Sequence, residues 1–341
     1  MTYTKYSSLL FIFIVLLTSC PYGYKYDIGI FPETPVNFAE LNTEYDDYNA
    51  TVPTLGQTFP LCFSSTRNSA GNEFDIVYKL ISINFSRIHG TLDIVENTSS
   101  NLDVYVSNLN IKNALSKINT DFNEIGPYLI GMGTNYNENS AFGRYEMYFF
   151  LYSNDINGNQ NIRFTHNLDN ENYETPIEVA GLNSEFDDIY PTFNEDYSKL
   201  YFSSNRDQSY SIYYASFGNS SDLFDMLTDT TNVSIHRDSM LSSSFEDKSP
   251  SISTNRMVFA SNREGGYGGY DLYYSYLENG IWTEPKNFGN TINTQYNEYR
   301  PIVKPHPDFS NDFMIFSSDR PEGKGGFDLY YVGIRKVPEN Y

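Results

Sequence analysis

The chain has few of the residues that usually carry metal, redox or nucleic-acid chemistry. Its 341 residues include two cysteines, Cys20 and Cys62, one tryptophan and four histidines. The histidines occur singly, without the paired spacing of a zinc site. Lys and Arg number 22 against 43 Asp and Glu, which gives a net charge of −21. This deficit of positive charge argues against binding to nucleic acid or to anionic lipid headgroups.

Long apolar runs are missing too, apart from residues 9–17. Nine apolar residues are too few to span a bilayer, which takes about 20, but they suit the core of a signal peptide. The following Leu17-Thr-Ser-Cys20 resembles a bacterial lipobox. That resemblance implies that Cys20 becomes the lipidated first residue of the mature chain; an ordinary cleaved signal with a chance cysteine is the alternative. If Cys20 carries a lipid, Cys62 has no disulfide partner.

Five similar segments repeat along the rest of the chain. Each contains an acidic turn that precedes a proline, then a short apolar strand that ends in a Ser/Asn/Arg turn, then an aromatic strand. The turn arginines are Arg67, Arg206, Arg263 and Arg320, and the second copy has none; Asp75, Asp271 and Asp328 open the aromatic strand in three copies. The segments are rich in Tyr, Phe, Ile and Val and bounded by Gly, Asn and Asp, which predicts β-strands. A unit of this size cannot bury its own core and must stack on its copies.

A fourth strand motif appears at residues 33–42, 174–183 and 283–293. The first copy precedes any complete unit, and the last unit lacks a fourth strand of its own. The sequence therefore predicts an all-β fold, a five-bladed β-propeller closed by an N-terminal strand that completes the last blade, with six blades as the alternative. The predicted parts are a lipoprotein signal peptide (1–19), a lipidated tether (20–33), the propeller (34–335) and a C-terminal tail (336–341).

The Ser-Ser-Asn-Arg turn followed by Asp-Leu-Tyr-Tyr resembles the WD40-like (TolB-type) β-propeller repeat family over residues 34–334. The fourth-strand motif is similar to propellers of Bacteroidota cell-envelope proteins. The resemblance implies a lipid-anchored protein of the outer membrane with envelope proteins as partners. Because a lysine, Lys25, precedes the first acidic residue after Cys20, we expect the periplasmic face rather than the cell surface.

The repeated charged residues are interpreted as structural. The acidic pairs Asp46-Asp47, Asp187-Asp188 and Glu246-Asp247 recur from unit to unit, whereas a glycosidase needs two non-equivalent carboxylates; calcium binding and catalysis are the alternatives. The turn arginines are expected to pair with carboxylates and lock the hairpins, or else to bind an anionic ligand. The sequence predicts no catalytic residue, no metal and no cofactor other than the lipid.

Two function classes remain. The leading prediction is a non-enzymatic interaction module of a secretion, transport or assembly complex, because no pair of unique carboxylates can be assembled from the sequence. The alternative is a glycan-binding or glycan-hydrolysing surface lipoprotein, which would require such a pair beside exposed aromatics. The repeats are interrupted at residues 82–118, 129–144 and 217–243, where unique loops could carry recognition. Residues 102–106 are predicted to form a strand, and residues 129–144 a polar loop.

Overall fold

The computed structural model describes residues 25–99, 102–136, 144–169, 171–217 and 222–337. These residues form five antiparallel sheets, each a blade of a five-bladed β-propeller. The innermost strand of every blade contacts the innermost strand of the next, and the fifth contacts the first, so the blades close into a ring. The predicted all-β, five-bladed architecture is confirmed.

The strands follow one another outwards through each blade. In chain order the elements up to the end of the second blade are β1 (Val36–Asn37), β2 (Asp47–Thr51), β3 (Thr58–Ser65), a 3₁₀ turn (Arg67–Ser69), β4 (Asp75–Phe85), β5 (Leu92–Glu96), α1 (Leu102–Ile118), β6 (Glu124–Tyr136), β7 (Arg144–Asn154), β8 (Asn161–His166) and β9 (Ile177–Glu178).

The third and fourth blades and the three inner strands of the fifth complete the fold. Their elements are β10 (Asp188–Phe193), β11 (Lys199–Ser204), β12 (Ser211–Ser216), α2 (Leu223–Thr228), β13 (Ser234–Arg237), β14 (Asp247–Ser253), β15 (Arg256–Ser261), β16 (Asp271–Glu278), β17 (Ile281–Trp282), β18 (Lys286–Asn287), β19 (Glu298–Lys304), β20 (Asn311–Ser318) and β21 (Asp328–Arg335).

The N-terminal strand closes the ring as predicted. β1 pairs with β21 through Val36 opposite Tyr331 and Asn37 opposite Tyr330, and so supplies the outer strand of the fifth blade. Residues further upstream, which the sequence assigns to the tether, also pack on this blade. Phe31 is fully buried and stacks on Phe309 with ring centroids 3.8 Å apart.

Apolar cores lie between neighbouring blades. One cluster joins Val258 and Leu272 of the fourth blade to Met314 and Phe316 of the fifth. Cys62 is a free, fully buried thiol in another cluster. Side chains alternate between the two faces of each strand, so both faces are covered by the adjacent blades. Within the described ranges, no helix combines the length and apolarity needed to cross a membrane.

Two local predictions are wrong. Residues 102–106, predicted as a strand, begin the 17-residue helix α1. Its later residues Ile111, Ala114 and Ile118 are fully buried, at a spacing that places them on one helix face. Of residues 129–144, predicted as a polar loop, 129–136 belong to β6, which forms a long hairpin with β7, and 137–143 lie outside the described residues.

Candidate functional site: the two ends of the propeller axis

The acidic turns connect each blade to the preceding blade through side-chain hydrogen bonds. In the fifth turn, the side chain of Asn293 accepts from the backbone N–H of Leu272 at 2.8 Å and donates to its carbonyl at 3.0 Å. Asn42, Asn119 and Asn183 make the same pair of bonds to the preceding blade, and Ser242 makes it with one hydroxyl. These side chains therefore replace a strand partner where two sheets meet.

The second carboxylate of each acidic pair caps its own turn and binds the turn arginine. Arg206 donates through Nη2 to Asp188 at 2.5 Å and to the Leu182 carbonyl at 3.1 Å, and through Nε to Ser204 at 2.9 Å. The same arrangement joins Arg67 to Asp47, Arg263 to Asp247 and Arg320 to Glu298. These carboxylates are fully buried. All four arginines are thus engaged inside their own blades, and they do not form a ligand-binding ring.

The aspartates that open the third strands hold the adjacent glycine loops. Asp271 accepts from the backbone of Tyr267 and Gly268, and Asp328 from the backbone of Lys324. Asp75 accepts from the side chain of Asn68. A Cβ at Gly268 would lie 2.4 Å from two carbonyl oxygens of the next acidic turn. Here glycine permits close approach of two backbones rather than a left-handed turn.

The first residue of the acidic pair makes one of two kinds of contact. Asp187 accepts from the backbone N–H of Gln160 in the preceding blade at 3.0 Å. Asp46, Asn123 and Asn297 hold the preceding third strand in the same way. Glu246, which is one methylene longer, instead pairs with Lys248 at 2.9 Å and accepts the hydroxyl of Tyr270. Glu246 is therefore the non-equivalent carboxylate that the repeated sequence pattern concealed.

A cluster of half-buried aromatic rings extends from Glu246 at the end of the axis where the inner strands begin. We call this end the axial mouth; it consists of Tyr48, Phe74, Asp187, Tyr210, Glu246, Lys248, Tyr270, Tyr299 and Phe327. Ring centroids lie 4.5 Å apart for Tyr270 and Tyr299 and 5.0 Å apart for Tyr48 and Phe327. Burial raises the pKa of the Tyr210 and Tyr299 phenols above their usual range, so both remain donors.

Lys248 pairs with Glu246 and lies over two tyrosine rings of the axial mouth. Its Nζ is 4.0 Å from the centroid of Tyr210 and 5.1 Å from that of Tyr270. The Tyr210 hydroxyl donates to Asp187 at 2.7 Å. Asp187, Tyr210, Lys248, Tyr270 and Glu246 thus form one continuous polar and aromatic chain across the junction of the third and fourth blades.

A buried arginine fills the middle of the axis. The inner strands all carry a β-bulge whose leading residue has a positive φ, namely Asn49, Gly126, Tyr190, Ser249 and Arg300. In four blades a proline follows this residue directly: Pro127, Pro191, Pro250 and Pro301. In the first blade Ala50 follows it, and Pro53 lies beyond the inner strand. Arg300 is 1% exposed; it donates to the Pro127 carbonyl at 3.2 Å, and its guanidinium lies 5.2 Å from the Tyr190 ring. Burial lowers the pKa of Arg300 to about 10.

The opposite end of the axis opens into a cavity of about 500 Å³, which we call the lower cavity. All five blades line it, through Leu55, Tyr128, Phe193, Ile252 and Lys304 among others. Burial holds the pKa of Lys304 down to about 8, against the opposing influence of Glu195. The described residues contain no group of three His, Cys, Asp or Glu side chains placed to hold a metal ion. Cys20, the predicted lipidation site, lies outside the described residues and its lipidation stays a prediction.

Comparison with known proteins identifies similar folds. No protein-family model and no curated protein matches the chain. Among solved structures, the Bacteroides ovatus xyloglucan PUL GH43B is similar with a TM-score of 0.51 and 10% identity, over 90% of this chain and 55% of that one. The Cellvibrio cellulosa α-L-arabinanase complexed with arabinohexaose gives a TM-score of 0.46 and 10% identity, over 87% and 94% of the two chains. At these identities the similarity shows the fold.

These comparisons correct three predictions. The resemblance to WD40-like (TolB-type) repeats is wrong, because the fold is similar to that of a GH43 protein. The motifs that suggested this resemblance stabilise the individual blades, because the arginine of the Ser/Asn/Arg turn binds the capping carboxylate. The prediction of a non-enzymatic interaction module, and with it the prediction that the protein is not an enzyme, is also wrong, because the same similarity to a GH43 protein contradicts both. Sequence spacing could not reveal that Asp187 and Glu246 meet tyrosines at the axis.

Proposed function

We propose that the protein is a glycan-active propeller that binds a saccharide at the axial mouth and cleaves it with the carboxylates of Asp187 and Glu246. The observation that carries this proposal is a chain of contacts that joins the two carboxylates: Asp187 accepts from the Tyr210 hydroxyl, Glu246 pairs with Lys248 and accepts from the Tyr270 hydroxyl, and Lys248 lies over both rings. Ligand sites typically combine aromatic walls with a few placed polar groups. The fold similarity to a GH43 protein supports the same class of ligand.

The two carboxylates supply the groups that glycoside hydrolysis requires. In that chemistry one carboxylic acid protonates the leaving oxygen, while the other carboxylate attacks the anomeric carbon or activates water. The two residues differ in their surroundings: Glu246 is paired with a cation, whereas Asp187 accepts a phenol and a backbone N–H. Such non-equivalence is what distinct acid and base roles need.

The test uses conservative variants whose effect on the fold is small. Asparagine already occupies the position of Asp187 in two other blades, as Asn123 and Asn297, where it holds the backbone in the same way. We therefore expect Asp187→Asn and Glu246→Gln to remain folded, to bind saccharide, and to lose hydrolysis at least about 100-fold. Asp46→Asn, the equivalent change in the first blade, is the matched control and should retain activity.

The measurements are calorimetric binding and release of reducing ends with xylo-, arabino- and xyloglucan oligosaccharides. Hydrolysis that is lost in both site variants and kept in Asp46→Asn supports the proposal. Binding without cleavage by the unaltered protein would leave a glycan-binding propeller and remove the catalytic role of the two carboxylates. If none of these oligosaccharides binds, the proposal is wrong for these glycan classes.

A further inference from the structure

The lower cavity differs chemically from the axial mouth. It lies at the other end of the axis, beyond the buried Arg300, and its walls come from the ends of the five inner strands and the loops that follow them. Leu129, Ile130 and Phe193 line it and are 2–4% exposed. A volume of about 500 Å³ lies within the range of small-molecule sites.

Lys304 is the cation of this cavity. Its Nζ donates to the Pro53 carbonyl at 3.2 Å, and an ammonium has three N–H donors. Glu195, the carboxylate among the lining residues, is exposed at the rim, where solvent screens its charge. Desolvation at this site disfavours the ammonium of Lys304, and an anion that paired with it would offset this cost.

A second buried cation adds to the positive potential on the axis. Arg300 precedes Lys304 on β19, and its Nε and Nη1 have no hydrogen-bond partner among the described residues; neither does the hydroxyl of Ser249 at the equivalent position of the fourth blade. Tyr128 connects the lower cavity to the middle of the axis, because it lines the cavity and interacts electrostatically with Arg300. In a chain of net charge −21, the buried Arg300 and the half-buried Lys304 on one strand of the axis mark a region of opposite sign.

We propose that the lower cavity is a binding site for a small organic monoanion, with Lys304 pairing with its charged group and the apolar walls holding its body. A single ammonium is a point charge that matches the one negative charge of a carboxylate or sulfonate. The site is independent of glycan activity at the axial mouth. Its ligand enters from the opposite face of the propeller.

The experiment uses a fluorescent sulfonate, 1-anilinonaphthalene-8-sulfonate, and its displacement by octanoate or by the neutral octan-1-ol. We expect octanoate to displace the probe at least about tenfold more strongly than octanol, because a charge-assisted bond is lost with the alcohol. Lys304→Met should reduce probe and octanoate affinity by a similar factor, whereas Lys304→Arg should retain most of it. Lys79→Met, which removes a half-buried lysine far from the cavity lining, is the control.

Two further readouts locate the ligand. Leu55→Trp keeps Lys304 but narrows the cavity, and should weaken binding. Affinity should fall as the pH rises through about 8, where Lys304 loses its proton. Equal displacement by octanoate and octanol, or unchanged affinity in Lys304→Met or Leu55→Trp, would overturn the proposal. Loss of binding in Lys79→Met as well would assign the effect to general surface charge and overturn it too.

Discussion

Glu124 is the capping carboxylate of the blade whose turn lacks an arginine. The strand register places Asn154 opposite Glu124, as Ser204 lies opposite Asp188, so Ile156 occupies the position of Arg206. Glu124 is fully buried and accepts from Thr120 at 2.6 and 3.1 Å. Burial raises its pKa to about 7, although these hydrogen bonds favour the ionised form.

The raised pKa of Glu124 predicts that the folded protein loses stability as the pH rises. The folded protein holds the Glu124 proton up to about pH 7, whereas the unfolded chain releases it near pH 4.5. The contribution of Glu124 to stability is therefore greatest below pH 4.5 and is lost as the pH rises to about 7. Glu124→Gln should remove this fall, which is on the order of 3 kcal/mol, in urea unfolding followed by circular dichroism from pH 4 to pH 8. Parallel pH profiles for the two proteins would contradict this assignment.

The missing arginine can be restored as a complementary test. Ile156 is 41% exposed. The carbonyl of Ile118 occupies the position that is equivalent to the Leu182 carbonyl, which accepts from Arg206 in the third blade. The double variant Asn154→Ser, Ile156→Arg should form the ion pair, lower the pKa of Glu124 and flatten the same pH profile without removing the carboxylate. A profile as steep as that of the unaltered protein would show that the second blade cannot adopt the arrangement of the others.

At the scale of the element, the junction between blades depends on one amide. Asn293 is 1% exposed and bridges both backbone groups of Leu272. Asn293→Ala leaves two buried backbone groups without this partner and should cost about 1–3 kcal/mol of the free energy of unfolding. Asn293→Ser should cost less, because Ser242 makes both bonds to Ile212 with its hydroxyl. Chemical denaturation of the two variants measures the difference; equal losses would mean that side-chain volume, not the bridge, sets the cost.

The repeated elements could be predicted from the sequence, and the unique ones could not. Strands with a turn arginine or an opening aspartate, such as β11 and β16, follow local patterns that fix their ends. The start of helix α1 was predicted as a strand because residues 102–106 carry β-branched and aromatic side chains. The later spacing of Ile111, Ala114 and Ile118 is helical. The axial mouth escaped prediction since its members are distant in sequence and meet only when the ring closes.

At the scale of the whole molecule, ring closure joins the two ends of the propeller domain. The side chain of Asn311 donates to the Phe31 carbonyl and accepts from its N–H, both at 2.9 Å, and Asn37 donates to Asp328 at 2.9 Å. Both the axial mouth and the lower cavity draw residues from several blades, so their geometry depends on this closure. An opened ring would separate Tyr48 of the first blade from Tyr299 and Phe327 of the fifth.

The contribution of the N-terminal segment to closure can be measured with two adjacent residues. Phe31 is fully buried, whereas Ile30 is 62% exposed. Phe31→Ala should lower the free energy of unfolding by about 3–5 kcal/mol, the usual cost of deleting a buried phenylalanine, while Ile30→Ala should change it by less than about 0.5 kcal/mol. Thermal and urea unfolding provide the comparison, and limited proteolysis reports whether the fifth blade opens first. If Phe31→Ala is as stable as Ile30→Ala, the segment before β1 rests on the propeller without holding it closed, and Val36 and Asn37 alone complete the ring.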